Sequence, residues 1–96
     1  MKILSYEYKV VQEPGFRQDR NNNNNARWQG MIDYEKQEIR IDPEHPEHMQ
    51  TLIHEIIHGV ARYFVVEMDE ADTERIAQGV YNVMTENGVD LKPLLK

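Results

Sequence analysis

The chain has no cysteine among its 96 residues, which excludes both a disulfide framework and a zinc site built from thiolates. Any transition-metal site must therefore use histidine, aspartate or glutamate. No run approaches the roughly 18 apolar residues of a membrane span, and charges interrupt the first fifteen residues, where a signal peptide needs an apolar core. We therefore expect a cytoplasmic protein with no membrane partner.

Positive charge is also scarce, because 11 Lys and Arg residues stand against 17 Asp and Glu residues, for a formal net charge of -6. Nucleic acids recruit an excess of Lys and Arg, so we expect a protein or peptide partner instead. Apolar residues make up 40% of the chain and charged residues 29%, which is a globular balance. A chain of this length predicts one domain spanning residues 1–96, with a thin core that a bound ligand could help to stabilise.

The N-terminal half carries strand patterns. Apolar and polar residues alternate over residues 3–11, which predicts a half-buried strand. Residues 13–27 have neither a period nor apolar content and include the Asn21–Asn25 run, so they predict a loop to which we assign no function. Two apolar pairs that flank a polar stretch predict a hairpin over residues 28–42. Together these segments predict a three-stranded antiparallel or mixed sheet.

The C-terminal half carries helix patterns. Apolar residues recur at threes and fours over residues 46–65, which predicts an amphipathic helix. A second helix is predicted over residues 70–87, with Asp69 as its N-cap and an Asn-Gly pair at its end. The tail, residues 88–96, is apolar enough to lie back on the core. The sequence thus predicts an α+β domain whose small sheet packs against two helices.

The first helix contains His54-Glu55-Ile56-Ile57-His58. Histidines four residues apart on a helix lie about 5–6 Å apart at Cβ, close enough to converge on one zinc ion. Zinc makes water acidic, and a carboxylate beside it can take the water's proton and return it to the leaving amine. The spacing therefore predicts a zinc site in which Glu55 is the general base.

An ordinary structural role is the alternative for the same three residues. His54 and His58 would then make common hydrogen bonds, and Glu55 would be a helix-surface acid. That interpretation leaves three polar residues among isoleucines without a reason, because polar groups cost free energy when they are buried unpaired.

A catalytic zinc ion takes three protein ligands and keeps one open position. The two other histidines lie upstream in the first helical turn, so a downstream carboxylate is the natural third ligand. The candidates are Glu67, Asp69, Glu70, Asp72 and Glu74. Glu74 is favoured because it shares an inward-facing stripe with Ala77 and Tyr81. Glu70 lies on the same stripe, but the helix dipole already explains an acid in the first turn.

Two further features concern the stabilisation of an oxyanion and the binding of a peptide substrate. Tyr81, Tyr63, Arg62 or His48 could each donate a hydrogen bond to a developing oxyanion, although each also has a structural explanation. The strand ending at Ile41 leads directly into the first helix. We therefore expect the edge of that strand to lie beside the metal, where it could bind an extended peptide through main-chain hydrogen bonds, the alternative being an ordinary charged edge.

The strand pair over 33–42, the segment Thr51–His58 and the segment Glu74-Arg75-Ile76-Ala77 resemble the ImmA/IrrE-like metallopeptidases, a gluzincin-like group, and in particular its short phage-type members. The resemblance implies zinc held by His54, His58 and Glu74, with Glu55 as the base. It also implies a protein substrate, which in that family is a repressor protein.

The sequence therefore predicts a hydrolase, namely a zinc metalloendopeptidase that cleaves a protein substrate. The alternative is a non-catalytic regulatory or protein-interaction domain in which zinc joins two helices of a thin core. Structural zinc contributes about 10–16 kcal/mol of apparent binding free energy in small peptides, so the alternative is physically sound.

Overall fold

The computed structural model describes residues 1–14 and 30–95, so the Asn21–Asn25 run and most of the predicted loop over 13–27 lie outside the described residues. The α+β class predicted from the sequence is confirmed, with two helices and a small mixed sheet. The elements in chain order are β1 Lys2–Ile3, β2 Tyr6–Glu7, β3 Lys9–Gln12, β4 Gly30–Asp33, β5 Glu38–Ile41, α1 His48–Phe64, α2 Glu70–Glu86 and a 3-10 helix Lys92–Leu95.

The larger sheet has the order β3-β5-β4, with β5 in the centre. β5 pairs parallel with β3 and antiparallel with β4, so the sheet is mixed. Alternation along β5 buries Ile39 and Ile41 completely, and both belong to the main hydrophobic core. The expectation that the strand ending at Ile41 is a sheet edge is wrong, because both sides of β5 are paired.

The N-terminal segment differs from the single strand predicted over 3–11. A two-residue turn at Leu4 and Ser5, with φ values of 49° and 78°, folds β1 back on β2 before β3 begins. The alternation of apolar and polar residues runs through this turn without a break. The turn also lacks the Asn or Gly that favours positive φ, so nothing in the sequence marks it.

Helix α1 begins at His48, two residues later than predicted. The residues before it form turns in which Asp42 accepts a hydrogen bond from the backbone N–H of Glu44 and His45 Nδ1 accepts one from that of Glu47. The apolar face of α1 then buries Leu52 in the main core. The helix ends at Phe64.

Helix α2 begins where the sequence predicts. The Asp69 side chain accepts a 2.7 Å hydrogen bond from the backbone N–H of Asp72, which confirms the predicted N-cap. The helix buries Ala77 against Ile53 of α1, and Leu91 from the tail completes this second core cluster. The tail therefore lies back on the core.

Two glycines allow α1 to approach the strands closely. A Cβ atom on Gly59 would lie 3.1 Å from Ile3 Cδ1, and one on Gly30 would lie 2.6 Å from Thr51 Cγ2. These contacts fix the part of α1 that carries the histidines against β1 and β4. Within the described ranges, neither helix is long and apolar enough to cross a membrane.

Candidate metal centre

His54 and His58 lie one helical turn apart on α1 and point to the same place. Their Nε2 atoms are 3.1 Å apart, and their rings meet edge to face. Both side chains are largely buried, with 14% and 24% of their surface exposed. The sequence prediction that the two imidazoles converge agrees with this geometry.

Glu70, the first residue of α2, joins the two histidines. Its Oε1 lies 3.0 Å from His54 Nε2 and its Oε2 lies 2.9 Å from His58 Nε2. One ligand atom from each of the three residues lies within 4.8 Å of the others. Because Asp69 caps α2, the helix begins at Glu70, and this places the Glu70 carboxylate beside the two histidines.

The spacing of these atoms suits a small cation. Ligands about 2.0–2.1 Å from a tetrahedral zinc ion lie about 3.3 Å from one another. The two Nε2 atoms lie 3.1 Å apart, and each lies 2.9–3.0 Å from a different oxygen of Glu70, slightly closer than this. Two imidazole nitrogens and a carboxylate oxygen are also a donor set that zinc accepts. The residues therefore fit a zinc ion in both geometry and chemistry.

Glu74 contacts the other nitrogen of His54. Its Oε1 lies 2.7 Å from Nδ1, and Gln50 Nε2 donates a 2.8 Å hydrogen bond to its Oε2. A carboxylate only accepts, so Nδ1 carries the proton and a neutral His54 has its lone pair on Nε2. That lone pair faces the Glu70 carboxylate. Either a second proton on His54 or a cation between the groups satisfies this arrangement.

The candidate carboxylates thus have different positions. Glu70 lies with the two Nε2 atoms, whereas Glu74 contacts His54 from the far side of the ring, so Glu74 as a ligand stays a prediction. Of the others, Glu67 is exposed and lies outside this group, Asp69 caps α2 and Asp72 pairs with Arg75. Within residues 1–14 and 30–95, the group with Glu70 is the one set of three His, Asp or Glu donors that converges.

Glu55 lies beside the histidines and is buried, with 7% of its surface exposed. Its carboxylate makes no hydrogen bond or ion pair with any described residue. The pKa of Glu55 is raised to about 7, mainly by burial; His54 opposes the shift and the Glu70 charge adds to it. A buried acid that makes no such contact costs stability, so Glu55 is a candidate for a chemical role.

The groups considered as oxyanion donors are mostly used elsewhere. Tyr63 shares a 2.6 Å hydrogen bond with the hydroxyl of Tyr8, and Tyr81 packs against the second core cluster. His48 Nδ1 lies 2.9 Å from the backbone oxygen of His45 in the turn before α1. Arg62 makes a contact of another kind: its guanidinium carbon lies over the ring of Tyr34, 4.2 Å from the ring centroid.

Sequence reasoning did not single out Tyr34. The side chain is half-buried, and burial raises the pKa of its hydroxyl, while Arg62 opposes the shift and the nearby Glu55 adds to it. Its position just after β4 brings it to the C-terminal half of α1. No residue pattern links Tyr34 to the histidines. That Tyr34 lies beside α1 is seen only once the hairpin is packed on the helix.

No protein-family model, curated protein or solved structure matches this chain. The function is therefore inferred from the residues of the site.

Proposed function

We propose that this chain is a zinc-dependent peptidase in which His54, His58 and Glu70 hold the metal and Glu55 is the general base. The observation that carries the proposal is the convergence of three donor side chains beside a buried carboxylate that makes no hydrogen bond or ion pair with any described residue. Membership of the ImmA/IrrE-like group, a protein substrate and a cytoplasmic location remain predictions from the sequence.

The chemistry that zinc supplies when bound is Lewis acidity, which polarises a carbonyl and makes water nucleophilic at neutral pH. The chain's own residues do the proton transfer. A Glu55 carboxylate oxygen takes a proton from the attacking water and then gives it to the nitrogen of the leaving amine. Because Glu55 is buried, it performs both transfers away from bulk water.

Glu74 and Gln50 have a supporting role in this proposal. Glu74 accepts the Nδ1 proton of His54, which leaves Nε2 free to bind a metal, and Gln50 orients Glu74. A carboxylate behind a metal-binding histidine fixes the ring and raises its basicity. Glu74, the residue favoured as a ligand from the sequence, is therefore proposed to act through His54.

Two features favour an enzyme over a zinc-stabilised interaction domain. Three protein donors leave a tetrahedral metal with one open position, whereas structural zinc sites are closed by four protein ligands. Structural zinc also has no need of a general base, yet Glu55 is buried beside the site at a cost to stability.

The experiment that tests the proposal compares wild type, Glu55→Gln and an exposed control, Glu67→Gln, for zinc content and for cleavage of casein. We expect Glu55→Gln to keep its zinc and lose activity by about 10²–10⁴-fold, because general base catalysis is removed. The control should keep both properties. If wild-type protein binds zinc but cleaves neither casein nor a mixed peptide library, the interaction-domain alternative is favoured. If no form binds zinc, both ideas fail.

A further inference from the structure

Arg62 is the sole Lys or Arg residue in α1, and it lies one turn beyond His58. Its side chain is exposed, and it forms no ion pair with a carboxylate among residues 1–14 and 30–95. By contrast, Arg40 and Arg75 are each paired with acids. An arginine without an acidic partner is notable in a chain of net charge -6.

Helix geometry puts Arg62 next to the site. At 100° per residue, Arg62 lies about 40° around the axis from His58 and about 20° from Glu55. It is about 6 Å beyond His58 along the axis, since each residue rises 1.5 Å. Arg62 therefore extends the same stripe of α1 that carries the metal-binding residues.

Tyr34 fixes the guanidinium. The 4.2 Å separation between Arg62 Cζ and the ring centroid is a cation–π contact. The turn that carries Tyr34 is itself held by Asp33, whose Oδ1 accepts hydrogen bonds from the backbone N–H groups of Glu35 and Lys36 at 3.0 Å each. Because its side chain is held in place, Arg62 loses little conformational entropy when a ligand binds.

A guanidinium above an aromatic ring keeps its in-plane N–H groups free for a planar acceptor, and carboxylates match that geometry. An extended peptide advances about 3.3 Å per residue, so 6 Å corresponds to about two residues. A peptide that runs along α1 with its scissile carbonyl at the metal would therefore bring a group two residues away to Arg62.

We propose that Arg62, held by Tyr34, binds a carboxylate of the substrate about two residues from the scissile bond. This inference rests on the proposed function and names its substrate class: peptides with an Asp or Glu side chain, or a free C-terminal carboxylate, at that position. Tyr34 is a positioning residue that acts through Arg62. The net charge of the chain would otherwise disfavour such substrates.

Cleavage of a peptide library, read by mass spectrometry, tests the proposal and separates the two sources of the carboxylate. Each library peptide has a Glu and a matched Gln version, and each is made with a free or an amidated C-terminus. Wild type should favour Glu over Gln, or a free over an amidated end, by about tenfold, the size of one charge-assisted hydrogen bond. Arg62→Gln should reduce that ratio to about one, and the exposed control Lys9→Gln on β3 should leave it unchanged.

Binding gives a readout that does not need turnover. Zinc-loaded Glu55→Gln is titrated calorimetrically with acetyl-Ala-Ala-Glu-Ala-Ala-amide, with its Gln counterpart and with acetyl-pentaalanine bearing a free carboxylate. Either the Glu peptide or the peptide with the free carboxylate should bind about tenfold tighter than the Gln peptide. In the double variant that also carries Arg62→Gln, this difference should disappear. Equal binding of all three probes would overturn the inference, even if no peptide is ever cleaved.

The role of Tyr34 is tested with the same ratio. Tyr34→Phe keeps the ring and should keep the preference for acidic peptides, whereas Tyr34→Leu removes the ring and should lower it. Loss of the preference in both variants, or in neither, would contradict a positioning role through the ring. If wild type cleaves peptides with no acidic preference, this inference fails alone; if it cleaves none, the proposed function fails.

Discussion

The carboxylate of Glu74 lies 2.7 Å from Nδ1 of His54, on the side of the imidazole ring opposite the Nε2 atom that meets His58 and Glu70. The two acids of α2 therefore approach the same histidine from its two nitrogens. One acid is in position to share a metal with the ring, and the other is in position to hold the ring's proton.

This arrangement predicts an order of zinc affinities. Glu70→Ala should weaken zinc binding by more than about 100-fold, because it removes a ligand, whereas Glu74→Ala should cost about 10–100-fold through loss of support for His54. Competition with a fluorescent chelator measures both constants, and Glu67→Ala is the exposed control. A larger loss in Glu74→Ala than in Glu70→Ala would restore Glu74 as the third ligand.

The burial of Glu55 predicts a pH-dependent stability of the metal-free protein. The pKa of Glu55 is raised from 4.5 to about 7 in the folded chain, so folding favours the protonated acid. The stability from this group is fully present below about pH 4.5 and is lost as the pH rises through about 7. Glu55→Gln stays neutral at every pH.

Compared with wild type, Glu55→Gln should therefore gain free energy of unfolding with rising pH, by a total on the order of 3 kcal/mol. Urea denaturation of both proteins at pH 5 and pH 8, in the presence of chelator, measures the gain. A difference between the proteins that does not change with pH would mean that Glu55 is well solvated in the absence of metal.

The hydroxyl pair of Tyr8 and Tyr63 predicts an asymmetric effect of two similar substitutions. Tyr8 is fully buried, while Tyr63 is partly exposed, and their oxygens lie 2.6 Å apart. Tyr8→Phe leaves a Tyr63 hydroxyl that can reach water, so the loss should be about 0.5–1.5 kcal/mol. Tyr63→Phe strands a buried hydroxyl and should cost about 1–3 kcal/mol. Chemical denaturation of the two variants ranks them, and the reverse order would contradict the burial pattern.

The contact between β4 and α1 predicts opposite effects of alanine at two glycines. A Cβ on Gly30 would lie 2.6 Å from Thr51 Cγ2, whereas one on Gly79 of α2 would meet nothing within 4 Å. Gly30→Ala should therefore cost about 1–3 kcal/mol by overpacking. Gly79→Ala should add up to about 1 kcal/mol through helix propensity. Thermal unfolding separates the two, and equal midpoints would argue against close packing at Gly30.

The helices and the paired histidines could be predicted because their signals are local. Apolar spacing alone marks α1, and four residues on a helix bring His54 and His58 together whatever packs around them. The Asp69 cap of α2 was likewise visible in the sequence. Boundaries were weaker, since polar turns at Asp42 and His45 delay the start of α1.

The position of Glu70 beside the histidines and the contact of Tyr34 with Arg62 depend on tertiary packing. Glu70 and Glu74 lie four residues apart on one stripe, so the sequence could not say which turn of α2 stands beside the histidines. The inward pattern around Ala77 favoured Glu74, but the start of α2 directly after Asp69 brings Glu70 to the Nε2 atoms. Tyr34 reaches α1 because β4 packs closely against the helix, and this close packing depends on the absence of a side chain at Gly30.

Whether the histidine pair holds zinc is decided by the metal content of the protein, purified without added metal and measured by mass spectrometry. Wild type should carry about one zinc ion per chain, since His54, His58 and Glu70 are proposed to form a three-ligand site, and the His54→Ala,His58→Ala double variant should carry almost none. Wild-type protein without zinc that also fails to take it up from solution, or a double variant that retains it, would mean that these residues do not hold zinc.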